Sequence, residues 1–387
     1  MSPAARAALI RLYPAALALA GIVLVLNVIA FGFGQSPIDT LRRAFEGTWG
    51  TPYGVGQVLF KASPLILTGL AFHVAFRAGL FNIGAEGQLA LASLTGAVVA
   101  AKLPAGTPAP IALFAALSAA MLAGLLAAAV PTLLRARLGV HEIISFIMMN
   151  RIAEILVPWF LVAVLGAAAL RTADIAPGAA LPRLDVVFPS LRGSAASAAF
   201  PIAVAAAFGV HELLRRTRAG REMRWVGLNP DACRAEGIDV RRRLIQAGLL
   251  SGALAAAAML STVLGYKGYF ELGLGAGAGW TGIAVALLGR GSPLGIVLAA
   301  ILFGTLEQAG LAINAVVPKD AMIVLQAVVI LLVATANAAV KPKASAAPQE
   351  PSSPSPSKNA AARASQAPAE PAPPGEAEAA PETEAKA

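Results

Sequence analysis

The sequence contains few charged residues. Asp, Glu, Lys and Arg make up 13% of its 387 residues, whereas a soluble protein carries about 25%. Hydrophobic residues make up 57%. So few polar groups cannot cover a hydrophobic core of that size in water, and the composition therefore excludes a water-soluble fold.

The residue types that form disulfides and metal sites are also scarce. Cys233 is the only cysteine, which excludes an intrachain disulfide and a cysteine-based metal site. The histidines His73, His141 and His211 are scattered, without the spacing of metal ligands. We therefore expect this chain to bind no metal.

Short catalytic motifs are missing as well. The sequence has no H-E-x-x-H motif, no G-x-S-x-G motif and no nucleotide-binding loop of the form G-x-x-x-x-G-K-[ST]. The residues thus give no reason to expect an enzyme. If the protein drives transport with ATP, another chain must bind that ATP.

Long apolar runs dominate what is present, and they are continuous rather than alternating, as in helices. They predict an all-α, polytopic transmembrane bundle of about ten spans. The eighth span is too short to cross alone, so we interpret it as a half-helix with residues 266–279 as its non-helical partner. The predicted spans are 15–34, 55–76, 84–101, 111–134, 143–166, 198–214, 244–265, 279–289, 293–316 and 321–340.

Residues 215–243 form a polar, arginine-rich loop between two of these spans. Positive charge collects on the cytoplasmic side of membrane proteins, which places this loop and both termini in the cytoplasm. With that orientation, the cytoplasmic segments hold about twice as many Lys and Arg residues as the outer ones. The net charge of +9 is thus explained by loops beside a lipid bilayer, and we expect no nucleic-acid partner.

The ends of the chain differ from its middle. Residues 1–14 are interpreted as a cytoplasmic segment before an uncleaved first span, because the apolar core of that span is longer than that of a signal peptide. Residues 15–340 form the predicted transmembrane domain. The tail, residues 341–387, is rich in Ala, Pro, Ser and Glu and is predicted to be disordered.

Two short segments resemble each other. Residues 79–84 read Gly-Leu-Phe-Asn-Ile-Gly, and residues 268–273 read Gly-Tyr-Phe-Glu-Leu-Gly. Because they follow spans of opposite direction, they suggest an inverted repeat of spans 2–5 and 7–10; a chance likeness between glycine-rich turns is the alternative. Each precedes a glycine-rich or polar stretch, which predicts broken helices beside a transport pathway.

Polar side chains inside spans are costly and usually face a cavity or the bundle interior. The spacing of Arg151 and Glu154 favours an ion pair on one helix, and Lys61 is placed near a span end, where it can snorkel. Trp280 can stack on a base, although a place in an interfacial belt is commoner. The candidate pathway residues are Asn82, Glu86, Gln88, Asn150, Trp280, Glu307 and Gln308.

Three motifs carry a family resemblance. They are FNIGAEGQLALASL at 81–94, HEIISFIMMNRIAEIL at 141–156 and GLNPDACRAEGIDV at 227–240. They resemble the permease subunits of ATP-binding-cassette (ABC) importers, in the group that includes branched-chain amino acid and simple-sugar permeases. The sequence is most similar to the nucleoside branch, and the resemblance covers about residues 55–340.

The resemblance implies a permease in a bacterial inner membrane that moves a small polar solute by alternating access. Its implied partners are a second permease subunit, two cytosolic ATPases that bind the ATP and an extracytoplasmic solute-binding lipoprotein. It also implies a short cytoplasmic helix that docks on the ATPase. The matching residues are Gly227, Asn229, Pro230, Asp231, Ala235, Glu236 and Gly237.

The residues themselves agree with such a helix, since Asn229-Pro230 can start one and Gly237 can end it. A solvated loop without a partner is the alternative. For the whole protein, the alternatives are an ABC permease for simple sugars or branched-chain amino acids, a secondary transporter that uses Glu307 as an ion relay, and a non-transporting membrane scaffold or intramembrane enzyme. The sequence does not choose the solute or decide whether the permease pair is a homodimer.

Overall fold

The computed structural model describes residues 20–21, 23–318, 323–328 and 331. These residues form helices joined by turns, and they include no β-strand beyond two isolated bridges. The helices are α1 (Val23–Gly32), α2 (Pro37–Glu46), α3 (Pro52–Arg77), α4 (Ala85–Lys102), α5 (Ala109–Leu138), α6 (Glu142–Trp159), α7 (Ala199–Arg216), α8 (Arg218–Leu228), α9 (Pro230–Ala235), α10 (Val240–Ala257), α11 (Ala278–Leu288) and α12 (Pro293–Ile313).

Two helices continue as wider π-helical turns. Residues Phe160–Val164 extend α6, and residues Leu260–Lys267 follow α10. The predicted N-terminal segment 1–14, the tail 341–387 and most of the tenth span lie outside the described residues.

The all-α membrane bundle is confirmed for the described part of the chain. Five helices are long and apolar enough to cross a membrane, or six if α1 and α2 form one span bent by 118°. The count of ten spans stays a prediction. The sequence predicted a single span at 15–34 and did not predict this bend. The five long helical segments are Pro52–Arg77, Ala109–Leu138, Glu142–Val164, Val240–Lys267 and Pro293–Ile313.

Helix α3 is the centre of the bundle. It starts at Pro52, after Thr51, whose hydroxyl accepts a hydrogen bond from the Gly54 amide at 3.1 Å, as an N-cap residue does. Nearly every residue from Ala62 to Ala75 is buried. Helices α7, α10, α11 and α12 pack around it, so α3 fixes the positions of the elements that surround the cavities.

Helices α5 and α10 pack closely through small residues. A Cβ atom added to Gly252 would lie 2.5 Å from both the Ala128 Cβ and the Gly124 carbonyl oxygen. A Cβ on Gly124 would in turn meet Ala256 at 2.6 Å. Such approach between membrane helices requires glycine, so Gly124 and Gly252 set the distance between α5 and α10.

The two similar sequence segments occupy equivalent places in the helix order. Residues 79–84 lie between α3 and α4, and residues 268–273 lie between the long helical segment 240–267 and α11. Both interruptions are non-helical, and α11 is as short as the half-helix interpretation predicts. These features agree with the suggested repeat, whose inverted orientation stays a prediction.

Candidate functional site

The two helix interruptions meet each other inside the bundle. Helix α4 begins at Ala85, and helix α11 begins at Ala278, after three glycines in the left-handed region, Gly273, Gly275 and Gly277. A Cβ atom on Gly279 would overlap the Glu86 backbone. Glycine is therefore required where the starts of α4 and α11 touch.

Glu86 links the two interruptions. Its carboxylate accepts hydrogen bonds from the Gly277 amide at 2.6 Å and from the Gly279 amide at 2.9 Å. These amides belong to the first turn of α11, where N–H groups have no partner within the helix. A residue of α4 thus caps α11, and this contact was not predicted from the sequence.

Three other candidate residues make a buried network around the first interruption. The Asn82 amide nitrogen donates to Gln88 Oε1 at 3.1 Å and to the Ser251 hydroxyl at 2.6 Å, and that hydroxyl donates to the Ala71 carbonyl at 2.6 Å. Asn150 accepts from the Gly87 amide at 2.9 Å and donates to the Ile83 carbonyl at 3.0 Å. These amides hold α6 and α10 against the turn.

Two cavities lie on either side of the glycine-rich segment 273–277. The smaller cavity, about 250 Å³, is lined by Glu86, Asn150 and Glu154 together with Phe270 and residues 272–276. The larger cavity, about 690 Å³, is lined by Trp280, Glu307 and residues 274–278. Residues 274–276 border both, so this segment forms a wall between them.

The larger cavity combines aromatic and charged side chains. Trp280 and Tyr266 lie on its wall, and Lys61 Nζ is 3.9 Å from Glu307 Oε2. Lys61 thus pairs with a carboxylate on α12, while its snorkelling stays a prediction. The cavity therefore offers stacking surfaces and both signs of charge.

Three candidate residues, Asn82, Gln88 and Gln308, are not part of the walls of the two cavities. Gln308 lies about 100° around α12 from Glu307 and donates to the Gly47 carbonyl at 3.3 Å. Asn82 and Gln88 are fully enclosed in the network around the first interruption. Arg151 and Glu154 form the predicted ion pair, at 2.6 Å on one helix. Direct solute contact by Asn82, Gln88 or Gln308 stays a prediction.

The arginine-rich loop folds into two short helices, α8 and α9. Asn229 Oδ1 accepts from the Asp231 and Ala232 amides at 3.1 and 3.0 Å, so it caps α9, and Gly237 ends the turn with a φ of +75°. The predicted helix start and stop are confirmed. Helix α8 was not predicted from the sequence, since the predicted helix covered only residues 229–237.

A carboxylate in α8 attaches the loop to the membrane bundle. Glu222 accepts from Arg218 Nε at 2.7 Å and from Arg243 Nε at 2.6 Å, and Arg243 lies in α10. Hydrogen bonds from Arg218 and then Arg243 lower the pKa of Glu222 from its ordinary value, since both favour the charged form. Sequence analysis did not single out Glu222, although its spacing from Arg218 is typical of helical ion pairs.

Apolar side chains on the outside of this loop are also exposed. The exposed fractions of Trp225 and Leu228 are 49% and 81%. Asn229, Pro230, Asp231, Ala235 and Glu236 are exposed beside them. Gly227 is exposed as well, but a Cβ there would overlap the Arg77 carbonyl. The loop thus presents a mixed apolar and polar surface, while Gly227 and the buried Cys233 fix it from within.

The fold and these cavities define a multi-pass membrane protein of the permease class. The chain belongs to the family described as "Branched-chain amino acid transport system / permease component", whose model matches residues 54–334. It is therefore an ABC transporter permease, and the resemblance drawn from the three sequence motifs is confirmed.

Similar proteins include permeases for different solutes. The glucose ABC transporter permease protein TsgB13 of Haloferax volcanii is 34% identical over 335 residues, 84% of this chain and 85% of the relative. The guanosine ABC transporter permease protein NupP of Bacillus subtilis is 36% identical over 313 residues, covering 79% and 88%. The nucleoside permease NupB of Lactococcus lactis is 29% identical over 314 residues, covering 79% and 86%. No solved structure matches the chain.

Proposed function

We propose that this permease imports nucleosides. The observation that carries the proposal is the larger cavity, whose volume of about 690 Å³ lies in the range of small-molecule sites. The exposed ring of Trp280 can stack on a base, while the Lys61–Glu307 pair can exchange hydrogen bonds with ribose hydroxyls. The relatives NupP and NupB, which are named for guanosine and nucleosides, support this solute class.

A simple sugar is the second candidate solute. The glucose permease of Haloferax volcanii has an identity similar to that of the guanosine permease. The Lys61–Glu307 pair would serve sugar hydroxyls equally well, whereas stacking on Trp280 would add less for a solute without a base. The contribution of Trp280 to uptake therefore separates the two candidates.

The proposed mechanism is alternating access, with the segment 273–277 as the wall that separates the two cavities. The energy would come from ATP bound to cytosolic ATPases that dock on the exposed surface formed by Trp225, Leu228 and α9. A second permease subunit and an extracytoplasmic solute-binding lipoprotein would complete the transporter. In this proposal the loop 215–243 and both termini face the cytoplasm of a bacterial cell.

A reporter cysteine at Ala235, in a Cys233→Ser background, would test which side of the membrane the loop faces. The native Cys233 cannot serve as the reporter because it is buried.

The test is uptake by the complete transporter in proteoliposomes, with Trp280→Ala compared with Trp159→Ala. Trp159 is a matched control because it is similarly exposed but lies on α6, outside both cavity walls. Loss of base stacking, worth about 1–3 kcal/mol, should weaken the apparent affinity for guanosine roughly 5- to 150-fold. Trp159→Ala should leave it unchanged.

The second part of that test measures the uptake of labelled glucose by the same proteoliposomes. Guanosine uptake that does not respond to Trp280→Ala, or saturable glucose uptake that guanosine does not inhibit, would contradict the nucleoside proposal. The second outcome would establish the sugar alternative.

A further inference from the structure

Two further cavities lie at the end of the bundle that carries the arginine-rich loop, and both are lined by Arg77 and Arg224. One measures about 80 Å³ and is bordered by His73, Arg215 and the turn 291–293. The other measures about 320 Å³ and continues along α8 to Leu228. We call this pair of cavities the basic pocket. The walls of the two transport cavities do not include Arg77 or Arg224.

Among the residues that the structure describes, no carboxylate forms an ion pair with the arginines that line both parts of the basic pocket. Within the described ranges, no carboxylate lies within 4.0 Å of Arg77, Arg215 or Arg224. Arg77 donates to the Gly291 carbonyl, which leaves its charge uncompensated. Two guanidinium groups on one pocket repel each other, so an anion between them would be stabilised.

The nearby carboxylates are already engaged with other arginines. Glu142, which borders the larger part of the basic pocket, lies 3.2 Å from Arg135 Nε. Glu212 lies 2.7 Å from Arg216 Nε. Both carboxylates are thus paired with arginines outside the pair Arg77 and Arg224, so the described part of the pocket keeps a net positive charge.

Two uncharged features also point toward an anion. His73 is 97% buried, lines the smaller part of the pocket and makes no hydrogen bond to any residue that the structure describes. Helix α12 starts at Pro293 in the pocket wall, and the side chain of Ser292 does not cap it. Pro293 has no N–H to donate, but the positive end of the helix dipole favours a negative charge at this place. An unpartnered imidazole and a helix start thus face the same small space as the arginines.

We propose that the basic pocket binds a phosphate group. The smaller part, at about 80 Å³, is below the range for a whole small molecule and fits a single tetrahedral anion held by Arg77, Arg224 and His73. The planar guanidinium group of arginine can donate two parallel hydrogen bonds to phosphate oxygens and carries the opposite charge. The larger part has room for the remainder of a phosphate ester. The group can come from a soluble phosphate compound or from the headgroup of an anionic phospholipid.

Binding would connect α8 to two elements, α3 and α12, with which it otherwise makes few contacts. Arg224 belongs to α8, Arg77 to the end of α3, and the turn 291–293 to the start of α12. A bound phosphate would therefore cross-link the loop 215–243 to the bundle core. The binding itself does not depend on the solute proposed above, so it can be tested without a transport assay.

The test measures phosphate binding to the purified full-length chain in neutral detergent by calorimetry, against sodium chloride at equal ionic strength. We expect saturable binding to the wild type that becomes at least tenfold weaker in Arg224→Gln. Arg221→Gln is the matched control, because it removes an exposed arginine from the same helix outside the pocket, and it should bind within twofold of wild type. If Arg224→Gln does not fold, Arg215→Gln is the second variant and should weaken binding several-fold.

The lipid source is tested by reconstitution in nanodiscs of phosphatidylcholine with or without phosphatidylglycerol. Retention of phosphatidylglycerol that requires Arg224 assigns the site to a lipid headgroup, whereas phosphate binding that is equal in both nanodiscs assigns it to a soluble compound. Equal losses in Arg221→Gln and Arg224→Gln would overturn the proposal. So would the absence of both phosphate binding and Arg224-dependent lipid retention.

Discussion

Replacement of Glu86 tests how much its hydrogen bonds to the start of α11 contribute to the stability of the bundle. In the wild type, the two carboxylate oxygens accept from the Gly277 and Gly279 amides at 2.6 and 2.9 Å. Hydrogen bonds to charged groups contribute about 1.5–3 kcal/mol each, and a negative charge at a helix start adds about 0.3–1 kcal/mol. Glu86→Gln keeps one acceptor oxygen and loses the charge, so we expect it to lower the free energy of unfolding by about 2 kcal/mol.

Glu86→Ala removes both acceptors and should cost roughly 3–5 kcal/mol. Because Glu86 lines the smaller cavity, water can replace part of the lost bonding, which places the expected value at the lower end of that range. The measurement is reversible unfolding of the purified chain in mixed detergent micelles, titrated with sodium dodecyl sulfate and followed by tryptophan fluorescence.

Glu154→Gln is the matched control. Glu154 lines the same cavity, but its ion pair with Arg151 lies on one exposed helix face, and such pairs contribute at most about 1 kcal/mol. If Glu86→Gln and Glu154→Gln lower stability equally, the link between α4 and α11 does not hold the bundle together and the reasoning fails.

Two further predictions concern packing and charge. Gly252→Val should destabilise the bundle by about 1–3 kcal/mol or more in the same detergent titration, because the valine side chain would overlap Gly124 and Ala128. Gly209→Val is the control and should change the free energy of unfolding little, since Gly209 has open space around it. Equal effects of the two substitutions would contradict the close packing of α5 and α10. The lowered pKa of Glu222 predicts that its contribution is present above the ordinary Glu range and is lost as pH falls through the lowered value. Thermal unfolding of wild type and Glu222→Gln should therefore differ at pH 7 and converge under acid conditions, and a difference that grows with acidity would refute this assignment.

The sequence predicts those elements that depend on residues close to one another along the chain. Long apolar runs predicted the principal helices, and Asn229-Pro230 with Gly237 predicted the bounds of α9, because caps and glycine stops act within one turn. Glycine-rich stretches likewise predicted the interruptions before α4 and α11. These features depend on neighbouring residues, which the sequence displays directly.

Contacts between distant segments could not be predicted in the same way. Glu86 and Gly277 are 191 positions apart, and no periodicity connects a carboxylate with backbone amides in another helix. Lys61 was placed near a span end from its position in the apolar run, and its pairing with Glu307 on α12 was not predicted. Glu307 and Gln308 were grouped together, although adjacent helical positions point in different directions.

The cap that Glu86 provides for α11 also constrains how the protein is made. The ribosome must synthesise 191 further positions after Glu86 before its amide donors exist. Until then, a carboxylate enters the bilayer region without its final partners, which is costly in hydrocarbon. Helices α3–α6 alone would therefore form an incomplete unit, and stable insertion of the first half should require the second half to arrive. A chain truncated before residue 277 is accordingly expected to be degraded faster than the full-length protein.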